Sequence, residues 1–394
     1  MSLSLRRPID LPESYRLQVR VEEEKIPQDL PLVVDRFSLA MLLGVTPREI
    51  GMVMHCENET LPDGRTIRAY QKNYYYTVFE IPKPQTRWEE QNGIQRVRKI
   101  QAPKQPLKKL QRALADKFWS RFPIPAEATA YREGMCIADT ALQHTGTKLI
   151  ICIDLKDFFT SFKESMIRKF LLARGYPYLI ARTISEMCTF HNFLPQGSPC
   201  SPVVSNVMAG ELMDGRLSEV AKRRGFHYSR YADDMIFSAQ RPSAHAMDNA
   251  DGVVREVKAI VESVGFQIAP KKTKYMRPHK RQTVLGMIVN QAPIHDPSYE
   301  GEPFVRISMP MYKRLRAMLH DAATRSITEA AAKHGKPPHQ FIRYIQGYLG
   351  SFMKQCDKRR YYNLVHQWNY IKEKWTQEQA EADRQYQPTF PSLL

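Results

Sequence analysis

Cysteine is scarce and unpatterned in this chain. Six residues (Cys56, Cys136, Cys152, Cys188, Cys200 and Cys356) are scattered over 394 positions with no CxxC pair. That spacing argues against a zinc site or a disulfide framework and fits a reducing cytosol. No run of about 18 apolar residues occurs, so no membrane-spanning helix is expected. The opening stretch, Met1 to Val19, lacks the apolar core of a signal peptide, so the expected location is cytoplasmic. Internal repeats and low-complexity tracts are absent. Acidic charge is in deficit, with 41 Asp+Glu against 58 Lys+Arg and a formal net charge of +17. The chain is 43% apolar and 25% charged, which excludes a wholly disordered polymer. Its length allows two or three domains of roughly 100–200 residues each.

A basic excess points to a polyanionic partner, the alternative being a merely soluble basic surface. The charge is unevenly spread. From Val305 to Trp375 there are 14 Lys/Arg and 4 Asp/Glu, whereas Met1 to Ile50 holds 7 against 8. A phosphate backbone is therefore expected along the C-terminal region.

Several segments announce their conformation. Ser38 to Ile50 contains a short apolar helix, Gly44, a Thr46 N-cap and Pro47 at the first helical position, a helix-turn-helix pattern read here as a packing element. Tyr74 to Ile81 is aromatic and β-branched, and with Gly93 to Ile100 it predicts a hairpin with a long tip. Pro106 to Arg121 repeats apolar residues at helical spacing. Leu149 to Leu155 is an apolar run holding one acid, a buried central strand that delivers Asp154 at its end. Ser161-Phe162-Lys163-Glu164 predicts a capping box, and Gly175 a helix stop. Helices are predicted from Pro202 to Arg224 and from Val253 to Val264, closed by Gly265. Between them, Phe226 to Ala239 reads strand–turn–strand with Ala232-Asp233-Asp234 at the tip. Helical periodicity returns at Met311 and again from Phe341 to Trp375, before a polar, Pro-bearing and mobile tail over 377–394.

The chemistry concentrates at Tyr231-Ala232-Asp233-Asp234. Taken alone, an Asp pair at a turn is an ordinary solvated turn. Here apolar strands flank both acidic sites, and burying uncompensated acids costs several kcal/mol. Adjacent carboxylates are tolerated where a cation neutralises them. With Asp154 beside them, three carboxylates suit two Mg²⁺ ions about 3.5–4 Å apart, the arrangement for in-line nucleotidyl transfer. Pro195-Gln196-Gly197-Ser198-Pro199 adds a turn whose glycine lets backbone approach a ligand closely.

Taken in order, Ile153-Asp154-Leu155-Lys156-Asp157-Phe158-Phe159, then Leu194-Pro195-Gln196-Gly197-Ser198-Pro199, then Tyr231-Ala232-Asp233-Asp234 resemble the motifs of bacterial reverse transcriptases. Within that group, Arg230 to Ser238 and the pair Ile81-Pro82-Lys83 and Ile100-Gln101-Ala102-Pro103-Lys104 are most similar to retron enzymes.

The resemblance implies an α+β right-hand polymerase. The N-terminal extension would span 1–75, the fingers 76–148, the palm with a mostly antiparallel sheet 149–300, and the basic helical thumb 301–376. It implies RNA-templated DNA synthesis with Mg²⁺ and dNTPs. Asp154, Asp233 and Asp234 would be the metal ligands, joined by the backbone of Leu155. Phe159 would be an aromatic gate against a 2′-OH, or simply core. Arg98 would hold the triphosphate, assisted by Arg132. Gln196 and Gly197 would meet the nascent base pair or the template strand, with Ser198 beside the template or primer. Lys272 would be a general acid near the triphosphate, or part of a solvated basic run. Leu285 and Gly286 would support the primer strand, and Lys354, Lys358, Arg359 and Arg360 the template–primer backbone.

The retron likeness further implies a dedicated noncoding RNA, priming from a 2′-OH, an RNA-linked DNA product, a phage-defence role and an effector protein as partner. Thr140 stands where retron enzymes carry Asn, and Leu285 where they carry Thr, which leaves open another defence-associated reverse transcriptase. A group II intron-type enzyme, an inactive RNA-binding scaffold and an RNA polymerase are the remaining alternatives.

Overall fold

The computed structural model describes residues 25–54, 56–60, 66–70, 75–83, 85, 87–239, 246–290, 305–353 and 358–385. The chain folds into two compact units that interleave along the sequence. One comprises Met1–Tyr131, Leu155–Val220 and Arg255–Ala269; the other comprises Arg132–Asp154, Ala221–Val254 and Pro270–Leu394. These units cut across the contiguous blocks expected from the sequence.

In the first unit, the helices Arg36–Leu43 and Pro47–Val53 form as the local signals dictate. The Asp35 carboxylate accepts from the Ser38 amide at 2.7 Å, and Thr46 and Glu49 cap each other reciprocally. Gly44 takes the left-handed conformation between the two helices, with φ 71°. The strands β1 (Cys56–Thr60) and β2 (Thr66–Tyr70) pair antiparallel. A second antiparallel pair, β3 (Tyr76–Pro82) and β4 (Val97–Pro103), carries a short helix, Arg87–Gln91, in its long tip. The segment from Leu107 is helical to Arg121, but it widens into a π-type turn over Leu114–Phe118 and ends in a tight turn. Its apolar face buries Leu107, Leu110, Leu114, Phe118 and Trp119.

The predicted capping box at Ser161 does not form. The Ser161 hydroxyl donates to the Asp157 carbonyl, closing the short helix Phe158–Ser161 instead. Glu164 accepts from the Ser185 hydroxyl and pairs with Arg168. The helix Glu164–Ala173 is anchored at its start by a bridge between Lys163 and Phe193 rather than by a side-chain cap. The Gly175 stop is as expected, with φ 81°.

The second unit is built on a four-stranded, wholly antiparallel sheet ordered β6-β7-β5-β8. Its strands are β5 (Leu149–Asp154), β6 (His227–Tyr231), β7 (Asp234–Ala239) and β8 (Lys274–Met276). β5 is an interior strand, which explains its nearly unbroken apolar sequence. A small three-stranded sheet, β9 (Thr283–Val284), β10 (Met287–Ile288) and β11 (Arg306–Ile307), continues the unit. One apolar core runs from Ile150 and Ile236 through Val284 and Met287 to Leu315, Met318, Phe341 and Trp368.

Helices Met309–Thr324, Ile327–Lys333, Pro338–Gly347 and Lys358–Gln385 follow. The last of these runs past Trp375 to Gln385, so the first part of the expected mobile tail is helical. Residues 386–394 lie outside the described residues. Among the described residues no helix is long and apolar enough to cross a membrane. The α+β class with antiparallel sheets stands as expected.

Candidate active site

The acidic corner of the second unit follows from strand register. β5 and β7 pair so that Asp154 lies directly opposite Asp234, and β6 pairs with β7 so that Tyr231 lies opposite Asp234. Directly paired residues of an antiparallel ladder share a face. Asp154, Asp234 and Tyr231 therefore stand on one side of the sheet, in one row. Two residues, Ala232 and Asp233, make the connection between β6 and β7. Ala232 takes φ 56°, the left-handed region where a side chain is strained. Arg230 is fully buried beneath this turn and donates from its guanidinium to the Ala232 carbonyl at 3.2 Å.

The electrostatics are those of a site short of positive charge. Burial pushes the Asp234 carboxyl up to about 6, and the like charges of Asp233 and Asp154 push the same way, opposed by Lys272 and Lys274. Lys272 holds both oxygens of Asp154 at 2.8 Å. Among the described residues no three His, Cys, Asp or Glu side chains form a closed metal-ligand set. The donor chemistry nonetheless fits a hard divalent cation: oxygen-only groups, like-charged and half-buried, with one already neutralised by an ammonium.

The remaining expected residues fall as follows. Lys272 joins the acidic corner. Leu155 is buried and bridges Ile268. Arg132 is half-buried. Leu285 and Gly286 form the two-residue turn between β9 and β10, with φ 50° and 84°. Lys358, Arg359 and Arg360 open the last helix, and Lys354 lies outside the described residues.

In the first unit, Arg98 is exposed on β4, opposite Ile81. The Gln196 carbonyl accepts from the Gln101 amide of the same strand at 2.6 Å. Gly197, at φ 125°, lies so close that a Cβ there would be 2.9 Å from the Gln101 carbonyl oxygen. The Gln196-Gly197 turn is thus backed onto the strand that carries Arg98. Ser198 faces inward: its hydroxyl donates to Gln111, which in turn donates to Tyr76 and to the Met187 carbonyl. Ser198, expected beside the template or primer, is buried with its hydroxyl engaged in this network. Phe158 takes the core position, against Phe162 and Phe266. That leaves Phe159 half-buried beside Tyr131, ring centroids 6.4 Å apart.

Sequence reasoning passed over Arg230 and Lys274 as parts of the site. Arg230 was visible as a basic residue three positions before the acidic pair, on the strand that leads into it. Lys274 was visible through the two-residue spacing from Lys272.

Residues 81–289, more than half of the chain, match the protein family described as "Reverse transcriptase (RNA-dependent DNA polymerase)". The chain is similar to the retron Mx162 reverse transcriptase of Myxococcus xanthus, 32% identical over 72% of this chain and 58% of that protein. It resembles the retron Mx65 reverse transcriptase of the same organism at 31% identity, over 68% of this chain and 60% of the relative. It is also 27% identical to the retron Ec86 reverse transcriptase of Escherichia coli, over 75% of this chain and 81% of that one. The matched region therefore spans less than two thirds of the length of the two Myxococcus relatives.

Proposed function

The chain belongs to the reverse transcriptase family, and on that premise we propose that it is an RNA-directed DNA polymerase of retron type. The observation that carries this reading is the face-to-face placement of Asp154 and Asp234, with the Asp234 carboxyl pushed up to about 6 by burial and by the like charges of Asp233 and Asp154. Asp154, Asp233 and Asp234 would hold divalent cations, Mg²⁺ by the hardness of their oxygens, and the bound ions would supply acidity to the primer hydroxyl and neutralising charge to the triphosphate.

The chain's own groups do the rest. Arg98 grips the triphosphate with a planar guanidinium suited to phosphate oxygens. Phe159 presents a flat ring under the sugar, where a 2′-OH would clash. The Gln196-Gly197 turn meets the nascent base pair. Lys272 supplies an ammonium able to donate a proton to the departing pyrophosphate. The β3–β4 hairpin acts as fingers, the β5–β8 sheet as palm, and the helices from Met309 onward as a thumb. The basic excess of the thumb region follows the backbone of an RNA–DNA hybrid.

The similarity to retron enzymes supports the retron type; a dedicated structured RNA, priming from a 2′-OH within it, an RNA-linked DNA product and service in phage defence with an effector partner in the cytoplasm complete the proposal. Sequencing the nucleic acid that copurifies with the protein tests this: a short branched RNA–DNA molecule is expected, and random cellular RNA would defeat the retron reading. For the polymerase itself, Asp233→Asn should abolish extension of a primed RNA template while RNA binding persists. Retained extension would refute the assignment of the acids.

A further inference from the structure

A buried polar contact ties the two arms of the acidic hairpin together. His144 follows the helix Ile137–Leu142 and is fully buried. Its Nδ1 lies 2.7 Å from the Ser238 hydroxyl on β7, and its Nε2 lies 2.7 Å from the Ser229 hydroxyl on β6. Both ring nitrogens are thus satisfied by serines on adjacent strands.

The register shows what this bridge spans. Ser229 pairs with Ile236, and Ser238 with His227, so the two serines sit diagonally on the ladder. They share the sheet face that carries Tyr231, Asp234 and Asp154, because Ser229 lies two residues from Tyr231 on β6 and Ser238 four residues from Asp234 on β7, and side chains of a strand return to the same face every second residue. Among the described residues β6 is an edge strand, with β7 as its one sheet neighbour. An edge strand is freer to fray or slip than an interior one. The turn it leads into contains the left-handed Ala232.

We propose that His144 is a positioning residue, a buried buckle that locks β6 to β7 and so holds the Ala232-Asp233 turn and Asp234 in their working geometry. Burial and the neighbouring His227 ring push its imidazole down to about 3, so the ring is neutral, with one nitrogen donating and the other accepting. A serine hydroxyl can play either role, so both tautomers close the bridge. An apolar side chain of equal volume would fill the space but leave two buried hydroxyls to find other partners. The inference rests on the polymerase reading for its catalytic consequence, but the mechanical claim stands apart from it.

The test separates the two. In the full-length protein, His144→Ala should lower kcat for dNTP addition on a primed RNA template by about tenfold or more, because small displacements of reacting groups cost rate steeply. KM for the dNTP should stay within about twofold, since the nucleotide contacts are elsewhere. Backbone amides of residues 227–231 should exchange hydrogen faster than in the wild type, and added imidazole should restore part of kcat by refilling the cavity. Should His144→Ala fail to fold, the pair Ser229→Ala and Ser238→Ala keeps the ring and removes only its partners; the same loss of kcat and the same faster exchange are expected. Unchanged exchange at 227–231, or an unchanged kcat in folded variant protein, overturns the proposal. If wild-type protein extends no primer, the polymerase reading falls, while the exchange measurement still decides whether the buckle exists.

Discussion

Asp154 stands directly across the β5–β7 ladder from Asp234, and its carboxylate is clasped through both oxygens by Lys272 at 2.8 Å. One member of the acidic pair is thus neutralised by an internal ammonium. The other carries the cost of burial and of its neighbours' charge. This asymmetry sets the first expectation.

Asp234 should be a liability to the metal-free fold. Its carboxyl is raised from the ordinary 3.8 to about 6. The folded state therefore holds its proton over a range where the unfolded chain has already lost it. The penalty is absent below about pH 4, grows between about 4 and 6, and is complete above that. Asp234→Asn should stabilise the protein near neutral pH by about 1–3 kcal/mol in chelator-treated buffer, allowing for partial solvent screening. Urea denaturation of both proteins measures it. A variant no more stable than the wild type would show that Lys272 and Lys274 already compensate the charge.

His144 has the opposite chemical type and should respond to acid. A histidine whose folded value is pushed down to about 3 from an ordinary 6.5 contributes stability that is present above 6.5 and lost as pH falls toward 3. Between about pH 7.5 and 5 the wild type should lose about 2 kcal/mol from this residue. A His144→Gln variant should lack that part of the slope. Parallel slopes in the two proteins would mean that the ring is not held neutral.

Phe158 and Phe159 are neighbours with separable duties. Phe158 is buried against Phe162 and Phe266, so Phe158→Ala should cost about 3–5 kcal/mol. Phe159 is half-buried, and Phe159→Ala should cost less while raising incorporation of ribonucleotides relative to deoxyribonucleotides. Single-nucleotide extension with each substrate measures the ratio. Unchanged sugar selectivity would remove the gate assignment.

Gly197→Ala tests the backing of the Gln196-Gly197 turn. A Cβ there meets the Gln101 carbonyl oxygen at 2.9 Å, and φ of 125° is a conformation that L side chains rarely adopt. The substitution should cost about 1–3 kcal/mol and raise KM for the incoming dNTP, because the turn must lift away from β4. A KM equal to that of the wild type would separate this turn from nucleotide binding.

Much of the local structure was legible because its causes are local. The reciprocal cap of Thr46 and Glu49, the left-handed Gly44 and Gly175, and the apolar run of β5 each carry their own signal within a few residues. Ser161 misled for the same reason. Its four-residue pattern matched a capping box, but a bridge between Lys163 and Phe193 had already fixed the helix start. Ser198 likewise sat in a site motif, yet a partner 87 residues earlier, Gln111, drew its hydroxyl inward.

By itself the sequence determined the acids, their order along the chain and the strands that carry them, because hydrophobic period and turn chemistry act over short range. Only the tertiary structure decided which carboxylate faces which, that Lys272 clasps Asp154, and that His144 meets serines 85 and 94 residues further along the chain on the two arms of the hairpin. Those relationships depend on strand register and on side chains distant in sequence. A single-residue slip would turn each of them to the opposite face of the sheet.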